Sequence, residues 1–147
     1  MEPAGLRIRH NIEVAHRLSL LTGKCEAIHG HSMNVELTLK GPLDDQGLMA
    51  GLEFGQLKKV FRDHLDTQYD HRLLLNRADP LLHGVKGFRP QLVYPGLQTV
   101  PGDPTTENIA KWIAKWAQLE WDDSAVESFF VQVDETAVNS ATYFCGR

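Results

Sequence analysis

His29 and His31 are separated by a single glycine in a stretch of alternating polarity. His29, His31, Met33, Val35, Leu37 and Leu39 fall on one side, and Ser32, Asn34, Glu36, Thr38 and Lys40 on the other. Residues two apart on a strand project from one face, so the two imidazoles stand about 7 Å apart at the backbone and can converge on one ion. Upstream, Leu6, Ile8, His10, Ile12, Val14 and His16 alternate with Arg7, Arg9, Asn11, Glu13 and Ala15, which places His16 at the end of a second apolar face. If these strands pair, three imidazoles meet at one end of a sheet. That is the three-ligand arrangement, with one position open, of a catalytic zinc site. For His-x-His alone, a hydrogen-bonded pair is the simpler alternative.

Cys25 precedes His29 in Lys24-Cys25-Glu26-Ala27-Ile28-His29. A lone cysteine is ordinarily a small buried hydrophobe, whereas one beside a dication gains thiolate character and can serve as a base. Asp70-His71 is either a surface pair or a proton relay. Glu135 continues the apolar face of Phe129, Val131 and Val133, where a carboxylate is costly unless it forms a salt bridge or meets a ligand. Glu107, after Thr105 and Thr106, is accounted for by the favourable dipole of a helix's first turn.

These residues need a scaffold of strands and helices. The two alternating segments predict antiparallel strands, the second stopped by Gly41-Pro42. Leu57, Val60, Phe61, His64 and Leu65 recur at helical spacing and predict a helix from about Phe54 to Tyr69. A second helix is expected to start at Asp103-Pro104, with Asp103 as N-cap and Pro104 as first helical residue, and to carry Ile109, Trp112, Ile113 and Trp116 on one face. Residues 77–103 hold repeated Pro and Gly and read as a long loop. Phe129 to Glu135 and Ala141 to Cys145 complete the order strand, strand, helix, helix, strand, strand, an α+β pattern.

At 147 residues the chain fits one domain, 1–147, and 42% hydrophobic with 23% charged residues is a globular composition that excludes disordered and fibrous classes. A formal charge of -4 argues against broad binding to nucleic acid or an anionic membrane. The first residues lack a cationic start and apolar stretch, so the cytoplasm is the expected location. Cys25 and Cys145 are too few and too far apart for a disulfide framework.

Val14-Ala15-His16-Arg17-Leu18, Cys25-x-x-x-His29-Gly30-His31, Asp70-His71 with Asn76, Pro104-Thr105-Thr106-Glu107-Asn108 and Asp134-Glu135-Thr136 together resemble the 6-pyruvoyltetrahydropterin synthase family, in order and over nearly the whole chain. The spacer between Cys25 and His29 resembles the bacterial 6-carboxytetrahydropterin synthase branch of queuosine and 7-deazaguanine biosynthesis; animal-type 6-pyruvoyl synthases have a longer one. The resemblance implies a tunnelling fold, a four-stranded antiparallel sheet with two helices on one face. It also implies trimers stacked into homo-hexamers with active sites at subunit interfaces.

The implied reaction converts 7,8-dihydroneopterin triphosphate and water to 6-carboxy-5,6,7,8-tetrahydropterin, acetaldehyde and triphosphate. By the same resemblance, zinc (Zn2+) sits on His16, His29 and His31. Cys25 is the general base, Asp70 and His71 form a proton relay, and Glu135, helped by Thr106 and Glu107, anchors the pterin. A 6-pyruvoyltetrahydropterin synthase and a noncatalytic pterin- or metal-binding relative are the alternatives. Glu53 replaces a usual aspartate, and the segments Gly47 to Phe54 and 77–103 are longer than usual. Arg17 and Lys24 are the basic residues near the proposed centre that a triphosphate could use.

Overall fold

A computed structural model describes residues 3–83 and 96–146. The chain runs β1 (Ala4–His16), β2 (His29–Gly41), α1 (Phe54–Gln68), β3 (Arg72–Asn76), β4 (Leu97–Val100), α2 (Thr106–Glu120), β5 (Ser128–Asp134) and β6 (Ser140–Gly146). Short 3-10 turns lie at Lys24–Glu26 and Pro80–Leu82. The strands form one sheet in the order β4-β3-β1-β2-β5-β6.

β1 and β2 pair antiparallel along their full length, with Ile8 opposite Leu37, Ile12 opposite Met33 and His16 opposite His29. Alternation decides which face is covered. Ile8, Ile12, Val14, Met33, Val35, Leu37 and Leu39 are buried with Phe129, Val131 and Val133 of β5, beneath Leu57, Phe61 and Leu65 of α1 and Ile109 and Ile113 of α2. Each such side chain contributes about 1.5–3 kcal/mol when withdrawn from water. The opposite face stays polar, with Glu36 bound to Arg7 and Arg9, and Asn11 to Ser32. Both helices therefore lie on one face, as expected. Among the described residues, no helix is long and apolar enough to cross a membrane.

The expected four-stranded antiparallel sheet is corrected to a six-stranded mixed one. β3 runs parallel to β1, and β4 parallel to β3. Leu73, Leu74 and Leu75 are all buried, so β3 has no polar face to produce an alternating signal. β4 falls within 77–103, which is therefore not loop throughout; residues 84–95 lie outside the described residues, and so does any role for that part of the segment.

The start of α2 is also corrected. Thr105 is the N-cap, its hydroxyl accepting from the Asn108 N–H at 3.1 Å. Asp103 does not cap because its carboxylate is already used by Ser19, Leu20 and Asn76.

Candidate active site

The pairing of His16 with His29 brings their rings together at the end of β1 and the start of β2, and His31 follows one pleat further on the same face. Gly30 fits between them where β1 passes closely; a Cβ there would meet the Val14 carbonyl at 3.3 Å. His16 Nδ1 donates to the Pro104 carbonyl at 2.7 Å, and His29 Nδ1 donates to the Ala27 carbonyl at 2.7 Å. A carbonyl only accepts, so in the neutral rings each Nδ1 holds the proton and each Nε2 presents a lone pair.

These two Nε2 atoms face each other at 3.0 Å, and the Nε2 of His31 is buried without a hydrogen-bond partner among the described residues. One ligand nitrogen from each ring lies within 4.8 Å of the others. Facing lone pairs repel unless a cation shares them. Nitrogens bound at 2.0–2.1 Å around a tetrahedral ion lie roughly 3.3 Å apart, so small side-chain adjustments bring this trio into register. His16 is 1% exposed. Burial pushes its pKa down, the Pro104 bond works the other way, and His29 and His31 lower it further; the net shift favours the neutral, ligating form. The three residues fit a divalent metal.

Glu135 lies just beyond β5, in phase with Val133, and one of its oxygens is 3.7 Å from His31 Nε2. Its other oxygen accepts a short hydrogen bond from the hydroxyl of Thr106, the buried first residue of α2. Among the described residues no lysine or arginine pairs with Glu135, and its basic neighbour is His31. Thr106, Glu107, Glu135 and Asn139 line a cavity of about 120 Å³. Glu107 is exposed on its rim.

Asp70 and His71 do bond each other, at 2.6 Å between Oδ2 and Nδ1. β1 grips the pair through Glu13, whose N–H donates to Asp70 Oδ1 and whose carbonyl accepts from the His71 N–H, both at 2.7 Å. Burial raises the Asp70 carboxyl, but the bonds from Glu13 and His71 outweigh it and hold the group below its ordinary value. His71 has φ 57°, a left-handed conformation that costs an ordinary residue roughly 1–2 kcal/mol. Its side chain is 79% exposed, on an open cleft of about 610 Å³ also lined by Glu13, His31 and Ser32.

Cys25 is partly buried in the Lys24–Glu26 turn, and its carbonyl accepts from the Leu18 N–H at 2.9 Å. Among the described residues, no hydrogen bond or ion pair joins the side chain of Cys25 or His71 to the three imidazoles. Arg17 is not a free anion-binding residue: it is paired with the fully buried Asp79 and lies 3.6 Å from Glu26. Lys24 remains exposed. Sequence reasoning missed Pro104 as a histidine partner, and Asp79 and Asp103 as buried acids. The one signal available was Thr105, a second capping residue that left Asp103 free for other bonds.

The remaining histidines have structural contacts. His10 meets Asp66 at 2.7 Å, His83 meets the Arg77 carbonyl at 2.8 Å, and His64 stacks on Trp116 with ring centroids 3.8 Å apart.

Comparison with known proteins gives concordant results. The sequence model of the family described as 6-pyruvoyl tetrahydropterin synthase matches residues 5–145. A Synechocystis protein named 6-carboxy-5,6,7,8-tetrahydropterin synthase is 31% identical over 144 residues, covering 93% of this chain and 90% of that protein. A Rickettsia typhi protein of the same name is 28% identical over 103 residues, covering 69% and 71%. The crystal structure of Plasmodium vivax 6-pyruvoyltetrahydropterin synthase superposes with a TM-score of 0.76 at 20% identity over all of both chains. The Caenorhabditis elegans 6-pyruvoyl tetrahydropterin synthase gives 0.67 at 24% identity, covering 99% and 98%. At such identities the structural likeness speaks to the fold.

Proposed function

This chain belongs to the 6-pyruvoyl tetrahydropterin synthase family, and on that premise we propose that it is a zinc-dependent 6-carboxy-5,6,7,8-tetrahydropterin synthase. Its substrates are 7,8-dihydroneopterin triphosphate and water; its products are 6-carboxytetrahydropterin, acetaldehyde and triphosphate, in queuosine or related 7-deazaguanine biosynthesis. The observation that carries this reading is the convergence of three imidazole nitrogens, two with fixed lone pairs, beside the carboxylate of Glu135. The relatives named 6-carboxy synthase and the short Cys25 to His29 spacer favour this reaction over the 6-pyruvoyl one.

His16, His29 and His31 hold the metal. When bound, the ion supplies positive charge beside the substrate's side-chain oxygens and so stabilises the negative charge left when a neighbouring C–H proton departs. Cys25 takes that proton as a thiolate, which prepares the loss of triphosphate. The Asp70-bonded imidazole of His71 moves protons as the carbon–carbon bond breaks; the two electrons that reduce the dihydropterin ring come from the side chain, whose ring-bound carbon is oxidised to the carboxyl. Glu135 accepts hydrogen bonds from the ring N–H and exocyclic amine of the pterin. The Thr106 hydroxyl fixes the carboxylate's rotation, and Glu107 lies at the rim.

A cavity of about 120 Å³ beside Glu135 is small next to the roughly 300–1,000 Å³ usual for ligand sites. With the exposure of His71, this supports a site completed by neighbouring subunits of a homo-hexamer. The test is triphosphate release from 7,8-dihydroneopterin triphosphate by the purified protein, before and after metal removal. Release that disappears with chelation and returns with zinc is expected; release indifferent to the metal contradicts the reading.

A further inference from the structure

Two buried acids outside the proposed reaction set, Asp79 and Asp103, both face the connection 17–28 that carries Cys25. Apart from the Lys24–Glu26 turn, this connection has no regular structure to hold it. Asp103, 6% exposed, takes hydrogen bonds from it at two points, Ser19 Oγ at 2.7 Å and the Leu20 N–H at 2.8 Å. A third comes from Asn76 Nδ2, at the end of β3, at 3.0 Å. Burial alone raises the carboxyl, but these bonds outweigh it and leave the group below its ordinary value, charged at neutral pH.

Asp79 anchors the same connection through Arg17, which reaches on toward Glu26, the neighbour of Cys25. Pro104, next to Asp103, supplies the carbonyl that orients His16. The dipeptide Asp103-Pro104 thus grips the Cys25 connection by a side chain and a metal-site histidine by its backbone.

We propose that Asp103 is a positioning residue that fixes the Cys25 connection relative to the three-histidine centre, with the Arg17–Asp79 pair as its second anchor. The catalytic consequence rests on reading Cys25 as the base. A base misplaced by about 1 Å loses much of its advantage, and an irregular connection keeps its place only through such anchors. Asp103 does not touch substrate; it acts through Ser19 and Leu20.

The experiment uses the full chain with Ser19→Ala and Asp103→Asn. Ser19→Ala removes one loop-side bond; Asp103→Asn keeps the shape but removes the charge that receives the Leu20 N–H. Three quantities are measured on native protein: the rate of Cys25 alkylation by iodoacetamide, with buried Cys145 as internal control, the metal content, and kcat and KM with 7,8-dihydroneopterin triphosphate.

Both variants are expected to alkylate Cys25 about fivefold faster or more, with metal content unchanged, kcat about tenfold lower and KM within about twofold. A merely structural role would lower thermal stability and leave alkylation and kcat alone. Alkylation within about twofold of wild type in the folded variants overturns the proposal, as does faster alkylation with unchanged kcat. If Asp103→Asn fails to fold, Ser19→Ala decides by the same criteria. A wild-type chain that never turns over the substrate contradicts the proposed reaction instead, and the alkylation rates still decide whether the clamp exists.

Discussion

The lone pairs that His16 and His29 turn toward each other are set by two backbone carbonyls, those of Pro104 and Ala27. Replacing His29 or His31 by Ala should therefore abolish tight metal binding, measured as metal per chain after dialysis. Cys25→Ala should keep the metal but lower kcat by about 10²–10⁴, the usual contribution of a positioned base. A Cys25→Ala variant with unchanged kcat would remove the thiol from the mechanism. Glu135→Gln, which replaces one acceptor oxygen by a donor beside Thr106, should raise KM for the pterin substrate several-fold. At this scale the sequence was informative where parity on a strand decides direction: His16, His29, His31 and Glu135 were readable because each sits in phase with a buried apolar row. The partners that fix them were not, since a backbone carbonyl such as that of Pro104 has no residue type to recognise. Arg17 showed the converse, a basic residue whose charge is already taken up by Asp79.

At the scale of elements, β1, β2, β5 and the two helices were legible from periodicity, while β3 and β4 were not. β3 centres on three consecutive buried leucines, and β4 is four residues in a Pro- and Gly-rich stretch that borrow their stability from the neighbouring strand. The N-cap of α2 went astray because Asp103 and Thr105 are both good caps and only tertiary contacts choose between them. Thr105→Ala should cost about 1 kcal/mol in denaturant unfolding.

The packing of α1 against α2 predicts a pH dependence. His64 lies against Trp116 with its Nε2 buried and without a hydrogen-bond partner among the described residues, and burial pushes its pKa down to about 4 from an ordinary 6.5. The unfolded chain therefore takes up the proton first. The stability associated with a neutral His64 is full above pH 6.5 and is lost as pH falls toward 4, on the order of 2–3 kcal/mol. His64→Phe should flatten that part of the stability profile, as measured by urea midpoints between pH 4 and 7.

At the scale of the whole molecule, a net charge of -4 coexists with a centre of three converging imidazoles, so average charge says little about what the site can bind. Glu135, beside the centre, lines a small cavity, and His31 lines an open cleft together with the exposed His71. On the proposed reading of a site shared between subunits, solution scattering should give a mass near six copies of 16.5 kDa; a monomer at micromolar concentration would contradict it. The family was visible in motifs spread over nearly the whole chain. The most direct test of the central claim is the mass of the pterin formed from 7,8-dihydroneopterin triphosphate by the zinc-loaded protein. The expected product is 6-carboxytetrahydropterin, with acetaldehyde released alongside triphosphate; a product that retains all three side-chain carbons, with no acetaldehyde, would contradict the proposed reaction.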